Sequence, residues 1–288
     1  MIMKPSILLT GSTGFIGSNL LTHLKKKNIK IYDILRYPKK KKKLKNYYPI
    51  YFKDNSELET KLKKIKINTV INCATHYSLK QDSNSLIKLI NANVTFGTLI
   101  IKNTSSKIKK FINFGSMMEY EGNKQNPNSL YAITKVFYEK ILDYFHKNNK
   151  KIKIYNIKIF ETFGDNDNRN KIIPTIINNY KNNKTFKLLS SKIKMNFVNI
   201  DNVIKFINEI LYKNIKPGSY CLRNKKFVNV NNILNIVNKK LKKKIKIKIL
   251  NMKIKNQTNK KIINLKNIIS KNKVDKFLYE KLKRTQTK

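Results

Sequence analysis

Tryptophan is absent from this sequence, and glycine, alanine, arginine and proline are scarce, at 8, 3, 4 and 6 of 288 residues. Acidic side chains are few as well, 16 against 63 basic ones, which leaves a formal net charge of +47. A surplus of that size ordinarily points to nucleic acid. Here, however, 59 of the 63 basic residues are Lys, whereas a nucleic-acid reader is expected to hold Arg, whose fork fits phosphates and guanine edges. The scarce residues have GC-rich codons, and the abundant Lys, Asn and Ile have AT-rich ones. The basicity therefore reads as a coding bias expressed at solvent-exposed positions, and no nucleic-acid partner is expected. On the same ground the run Lys39–Lys43 reads as a solvated face.

Cysteine is nearly absent too. Cys73 and Cys221 lie in apolar runs without CxxC or metal-ligand spacing, so buried reduced thiols and a cytoplasmic location are expected. The three His (His23, His76, His146) are scattered and predict no metal site. No apolar run reaches membrane-spanning length. The segment Met1–Thr10 lacks the long apolar stretch and small-residue cleavage site of a signal peptide. No membrane partner is expected.

What is present is an alternation of short apolar runs with amphipathic stretches, the pattern of a parallel sheet wrapped by helices. Strands are expected at Ile7–Thr10, Ile29–Leu35, Ile50–Phe52, Thr69–Ala74, Phe111–Phe114 and Ile152–Ile159, with helices at Phe15–Lys26, Leu86–Lys102 and Tyr131–His146. From about Asn166 the rhythm changes to helices at Pro174–Tyr180 and Asp201–Tyr212, a turn at Pro217-Gly218, and strands at Tyr220–Leu222 and Ile245–Leu250. The expected fold class is α/β, a Rossmann-type doubly wound parallel sheet with a smaller C-terminal lobe. Residues 1–165, with contributions from about 190–212, would form the sheet domain, and 166–288 the interleaved lobe.

Three of the eight glycines fall in Thr10-Gly11-Ser12-Thr13-Gly14-Phe15-Ile16-Gly17, which joins a buried strand directly to a helix. An ordinary strand-to-helix turn needs one glycine. Three, in a chain short of glycine, read as a phosphate cradle: Gly11 for the sharp turn, Gly14 for close approach of a pyrophosphate, Gly17 for tight packing of the helix. Downstream, Tyr131-Ala132-Ile133-Thr134-Lys135 puts Tyr and Lys on one helix face at i, i+4. Between them, Phe111–Tyr120 carries Ser116 at a strand end, with Tyr120 four residues later.

Glycine turn, Ser and Tyr-x-x-x-Lys, in that order and at those separations, resemble the extended short-chain dehydrogenases, the NAD-dependent epimerase/dehydratase family. The resemblance covers roughly residues 6–222. It implies catalytic roles for Ser116, Tyr131 and Lys135. It implies dinucleotide contacts from Gly11, Ser12, Thr13, Gly14, Phe15, Ile16 and Gly17, from Asp54 and Asn55 after the third strand, from Cys73, Ala74, Thr75 and Asn93, and from Tyr131 and Lys135, the lysine holding the nicotinamide ribose. Asn93 matches the family's Asn opening the next helix, although Gly97 follows one residue later than usual. It implies substrate contacts from His76, Ser116, Met117, Phe160 and Glu161, and a homodimer by family analogy.

Departures narrow the reading. Family dehydratases carry Asp-Glu after the catalytic Ser/Thr, but Met117 and Met118 stand there and cannot transfer protons. That favours an enzyme reducing the 4-keto group of a nucleotide-linked sugar, with a 4-epimerase as the alternative and a non-catalytic NAD(P)-sensing or nucleic-acid-binding protein as a remote one. The acidic residue typical of NAD-preferring members, at the end of the second strand, is Leu35 here, followed by Arg36. That favours NADP, while Asp33 leaves NAD open. The usual Asn after the Phe of the sixth strand is replaced by Glu161. The runs around Ser116 and Glu161–Asp167 are most similar to CDP-4-keto-6-deoxyglucose reductases of the abequose/paratose synthase group.

Overall fold

The computed structural model describes residues 5–36, 45–253, 265–271 and 273–285, and the Lys39–Lys43 run lies outside them. The chain begins with β1 (Ser6–Thr10), α1 (Phe15–Lys25), β2 (Lys30–Arg36), β3 (Tyr47–Phe52), α2 (Asn55–Lys64) and β4 (Thr69–Asn72). One helical run then comprises α3 (Ser83–Ile90), a π turn (Asn91–Thr95) and α4 (Phe96–Thr104). It leads to β5 (Lys110–Ser116), a 3-10 turn (Met117–Glu119), the short strands β6 (Tyr120–Glu121) and β7 (Lys124–Gln125), α5 (Leu130–Asn148) and β8 (Lys153–Ile159). The remainder holds β9 (Glu161–Phe163), α6 (Ile172–Lys181), β10 (Phe186–Leu188), β11 (Lys194–Met195), β12 (Phe197–Asn199) and α7 (Ile200–Tyr212). After these come β13 (Gly218–Asn224), β14 (Val228–Asn229), α8 (Val230–Lys240), β15 (Ile247–Ile249), β16 (Lys266–Ser270) and α9 (Val274–Lys283).

The large sheet has eight strands in the order β16-β13-β8-β5-β4-β1-β2-β3. From β3 through β8 every neighbouring pair is parallel. The chain winds outward from β1 to β3, then returns to β4 on the other side of β1, which is the expected doubly wound order. In such sheets ligands bind beyond the carboxyl ends of the strands where the winding reverses. Here those ends are Thr10 and Asn72.

Burial on both faces explains the continuous apolar runs of these strands. Ile7, Leu8 and Leu9 are all fully buried. On one face Leu8, Val70 and Phe111 pack with Phe96 and Ile100 of α4 and with Tyr138 and Leu142 of α5. Gly97 makes this packing possible, since a Cβ there would stand 2.5 Å from the Tyr138 ring.

The same sheet carries a polar row that hydrophobic periodicity does not announce. Thr10, Asn72, Asn113 and Asn156 stand in register on four adjacent strands. Thr10 Oγ1 donates to Asn72 Oδ1 (2.7 Å), Asn72 Nδ2 to Asn113 Oδ1 (3.2 Å), and Asn113 Nδ2 to Asn156 Oδ1 (2.9 Å). All four side chains are buried, so each amide depends on its neighbours for the hydrogen bonds water would otherwise supply.

Two local expectations change. The apolar pattern predicts no helix at α2, because Leu58 and Leu62 are the buried residues along its ten positions. Its start is instead written in capping chemistry: Asp54 accepts from Glu57 N (2.9 Å), and Glu57 Oε2 accepts from Lys53 N (2.7 Å). The expected single helix over Leu86–Lys102 is interrupted by the π turn, so Asn93 lies inside a helical run and not at a helix start. A π turn holds one residue more than an α turn, which matches the one-residue delay of Gly97.

The chain forms two compact units. The first takes in Met1–Ile159, Ile204–Cys221 and Ile262–Lys266; the second takes in Phe160–Val203, Leu222–Lys261 and Asn267–Lys288. The second unit has its own apolar core, in which Phe163, Ile176, Phe197, Leu234, Val237 and Leu278 are buried together.

Candidate active site

The glycine turn shows what each glycine does. Gly11 has φ +69°, in the left-handed region, and a Cβ there would stand 2.5 Å from the Ala74 amide nitrogen. At Gly17 a Cβ would stand 2.2 Å from the Gly11 carbonyl oxygen. Gly14 differs: its φ is −84° and a Cβ would meet only the Gly11 oxygen, at 3.4 Å. Internal packing therefore demands glycine at 11 and 17 far more than at 14, so the bare Cα of Gly14 suits a group from outside the chain. Gly14 caps α1, whose first turn holds no acidic residue. The amide N–H groups of the first turn and the positive dipole end accordingly sit at the carboxyl end of β1, where an anion is favoured. These residues fit a dinucleotide pyrophosphate.

Beneath the turn, Ser12 Oγ donates to Asp33 Oδ2 (2.9 Å), and the Tyr47 hydroxyl donates to the same oxygen (2.7 Å). Asp33 is fully buried, so its carboxylate anchors the turn from inside the fold. Leu35 is buried, whereas Arg36 is exposed at the end of β2, its guanidinium 5.8 Å from the Phe96 ring centroid. Thr13 is exposed, Ile16 half-buried and Phe15 buried. Asp54 and Asn55 are exposed at the start of α2, and the Asp54 carboxylate caps that helix.

Past β4, Cys73, Ala74 and His76 are half-buried and Thr75 is exposed. Cys73 therefore departs from the expected buried thiol, because it lies just past the strand end. Cys221, within β13, is buried, and both thiols are free. Asn93 ties this segment to α5. Its Oδ1 accepts from Thr75 Oγ1 (2.9 Å) and His76 N (2.7 Å), and its Nδ2 donates to His76 O and Thr134 Oγ1, both at 3.0 Å.

Ser116 ends β5, and Tyr131 and Lys135 lie in the first two turns of α5, whose N-cap Ser129 accepts from Ala132 N. The Tyr131 hydroxyl interacts with the side chains of Thr75 and Ser116, and burial pushes its pKa well above the usual tyrosine value. Lys135 Nζ stands 5.7 Å from the Tyr131 ring centroid and donates to Phe114 O (3.2 Å). Burial lowers the Lys135 pKa to about 8, against the opposing pull of Glu119. Met117 is buried, with its Sδ 3.6 Å from Cys221 Sγ. The glycine turn, Asn93, Ser116, Tyr131 and Lys135 all belong to the first unit. Phe160 and Glu161 belong to the second, where Phe160 packs edge-on to Phe227 and Glu161 pairs with Lys171 at 3.5 Å.

Sequence reasoning missed a buried ionic group behind Ser116. Lys158 is fully buried in β8 and contacts both Glu119 and Glu139, the latter at 2.7 Å. In β8 Lys158 alternates with Ile157 and Ile159, which would place it on a wet face were the sheet covered on one side only. No pattern separates it from 58 other lysines. Among the described residues no three His, Cys, Asp or Glu side chains converge to hold a metal ion. No described helix is long and apolar enough to cross a membrane.

Residues 7–222 match the model of the NAD dependent epimerase/dehydratase family. Among curated relatives, the chain is 31% identical over 178 residues to a CDP-abequose synthase of Yersinia pseudotuberculosis, covering 60% of this chain and 61% of the relative. It is 27% identical over 199 residues to a dTDP-4-dehydro-6-deoxyglucose reductase of Escherichia coli, covering 61% and 62%. The chain thus matches about 61% of the length of the first of these relatives. Its fold is similar to that of a UDP-glucuronic acid 4-epimerase from Bacillus cereus in complex with UDP-glucuronic acid and NAD (TM-score 0.78, 18% identity, 97% and 99% of the two chains). It is also similar to a UDP-N-acetylglucosamine 4-epimerase from Methanobrevibacter ruminantium (TM-score 0.76, 21% identity, 99% of each chain). With the match spanning 7–222 and taking in the glycine turn, Ser116, Tyr131 and Lys135, the chain belongs to the NAD-dependent epimerase/dehydratase family.

Proposed function

We propose that this protein reduces the 4-keto group of a nucleotide-linked deoxysugar, with Tyr131 as the acid. The observation that carries the reading is the convergence of Ser116 and Lys135 on Tyr131, in the unit that holds the glycine turn. The nicotinamide dinucleotide, when bound, supplies the hydride. The chain's own residues do the rest. The Gly14 cradle and the α1 N-terminus hold the pyrophosphate. Ser116 orients the carbonyl oxygen through its hydroxyl. Tyr131, kept protonated by burial, gives that oxygen its proton as negative charge develops there. Lys135, when cationic, lowers the cost of the tyrosinate that remains. His76, Met117, Phe160 and Glu161 are proposed to face the sugar nucleotide.

Two features favour reduction over dehydration. Met117 and Met118 offer no proton carrier after Ser116. The next carboxylate, Glu119, is fully buried, accepting from Ser116 N and contacting Lys158. The curated relatives named as a synthase of CDP-abequose and a 4-dehydro-sugar reductase support the same reading. NADP is the proposed cofactor. Asp33 is buried and engaged by Ser12 and Tyr47 beneath the glycine turn, while exposed Arg36 is suited to a 2′-phosphate. A homodimer is proposed on α5, where Ile133, Phe137 and Tyr144 are 48%, 57% and 64% exposed, an apolar stripe on an otherwise lysine-rich surface. A cytoplasmic location follows from this substrate class.

The deciding assay incubates purified protein with NADPH or NADH and a panel of nucleotide-linked 4-keto sugars. Stoichiometric NADPH oxidation with formation of the 4-hydroxy sugar is expected. Inversion at C4 without net cofactor consumption would replace the reductase by an epimerase.

A further inference from the structure

Behind the proposed acid lies a buried set of two cations and two anions, Lys135, Lys158, Glu119 and Glu139. Three successive residues at the end of β5 are each fitted to it. Phe114 O accepts from Lys135 Nζ (3.2 Å). Gly115 has no room for a side chain, since a Cβ would stand 2.6 Å from the Lys158 Cδ and 2.7 Å from Glu119 Oε1. Ser116 N donates to Glu119 Oε1 (2.6 Å), while Ser116 Oγ accepts from Met118 N (3.1 Å). The other Glu119 oxygen contacts Lys158 Nζ, which also holds Glu139 Oε2. Glu139 is held in turn by Gln125 (3.1 Å) and by Ser219 Oγ (3.0 Å).

We propose that Glu119, clamped by Lys158, is a positioning residue that fixes the Ser116 end of β5 and supplies the buried negative charge that keeps Lys135 cationic beside Tyr131. The proposal rests on the assignment of Tyr131 and Lys135 as the acid and its partner. Burial raises the Glu119 pKa, and Lys158 and the Ser116 amide pull against that rise, so the charge of this carboxylate depends on the same contacts that clamp it. The groups acting on Lys135 are Glu119 from the 3-10 turn, Lys158 from β8, Cys73 beyond β4 and Tyr131 from its own helix. Tyr131 interacts with Glu119, Thr75, Tyr77 and Ser116. Glu119 raises the pKa of both Lys135 and Tyr131. Removing its charge therefore moves both titrations to lower pH, and a tyrosine acid is lost earlier as pH rises.

Glu119→Gln keeps the size and an oxygen that accepts from Ser116 N, and removes the charge. The Lys135 titration is read in the intact protein by NMR of lysine side-chain carbons, assigned by the resonance lost in Lys135→Arg. Its midpoint near 8 is expected to fall by about one unit, and the alkaline limb of the kcat profile should move down with it. Glu119→Asp retains the charge and should leave the midpoint near its original place, although it no longer reaches Ser116 N. If Glu119→Gln does not fold, Glu119→Gln with Lys158→Gln replaces the buried pair by neutral groups. Its midpoint should still lie below wild type, because Glu119 acts on Lys135 more strongly than Lys158 does. A Lys135 midpoint unchanged in the folded variant overturns the proposal whatever the activity. A lowered midpoint in a protein that reduces no 4-keto sugar upholds the charge coupling and removes the reductase reading instead.

Discussion

At the scale of single residues, Tyr131 and Gly14 separate chemistry from architecture. Tyr131→Phe removes one hydroxyl and almost no volume, so the thermal midpoint and NADPH affinity should stay close to wild type. Turnover should fall about 10²–10⁴-fold, the usual worth of a positioned acid; stopped-flow oxidation of NADPH with a 4-keto nucleotide sugar reads this directly. Undiminished turnover would remove Tyr131 from the mechanism. Gly14→Val tests the cradle. The fold tolerates a Cβ at 14, where the nearest atom is 3.4 Å away, but not at 17, where it is 2.2 Å away. Gly14→Val should therefore leave a folded protein that no longer binds dinucleotide by calorimetry, whereas Gly17→Val should fail in folding. Arg36→Ala belongs beside it: NADPH binding should weaken much more than NADH binding, and equal losses would show that Arg36 does not meet the 2′-phosphate.

Among elements, the buried polar row across β1, β4, β5 and β8 is where a small change should have a large effect. Asn113 accepts from Asn72 and donates to Asn156, so Asn113→Ala leaves a buried donor and a buried acceptor without partners. Each orphan costs about 1–3 kcal/mol. Urea unfolding should thus show a loss of roughly 2–6 kcal/mol with little change in slope. A loss below about 1 kcal/mol would mean that the neighbouring amides find new partners. The π turn at Asn91–Thr95 shows a different relation between element and site. The Asn93 side chain it presents bonds the segment after β4 and Thr134 in α5, which joins the two elements bearing Thr75 and Tyr131.

For the whole molecule, buried tyrosines set the behaviour in alkali. Tyr47, Tyr131, Tyr138 and Tyr155 are buried, and burial raises all four pKa values, that of Tyr155 to about 12. An unfolded tyrosine ionises near 10. The stability these groups contribute is therefore complete below about pH 10 and is lost as pH rises through the folded values. Lys135 acts in the opposite sense. Its folded value of about 8 lies below that of an unfolded lysine, so its contribution is complete in alkali and lost as pH falls through 8. Above about pH 10 the ionisation of the unfolded tyrosines dominates, because the lysine contribution is by then nearly complete, and scanning calorimetry should show the melting temperature falling between pH 10 and 12. Assembly is tested separately. Phe137→Lys places a charge in the apolar stripe of α5 and should convert a dimer to a folded monomer in analytical ultracentrifugation. A wild-type protein that sediments as a monomer would reject the dimer.

Much of the fold was legible in the sequence, because both signals involved are local. A strand buried on both faces must be a continuous apolar run, and a strand-to-helix turn that meets a phosphate must be glycine-rich; hence β1, β4, β5, the glycine turn and the Tyr131–Lys135 face of α5 could all be read in advance. Elements whose stability is not apolar were harder to see, as with α2, which is marked by Asp54 and Glu57 capping and not by a hydrophobic stripe. Only the tertiary structure decided the fate of the charged and polar residues within the strands. Asp33, Asn72, Asn113, Asn156 and Lys158 look like ordinary polar residues in a Lys- and Asn-rich chain. Their burial depends on which strand lies beside which, and a lysine costs several kcal/mol to bury unless carboxylates distant in sequence are brought to it. Glu119 lies 39 residues before Lys158 and Glu139 lies 19 before it, separations that the parallel crossover through α5 closes and that no local pattern encodes.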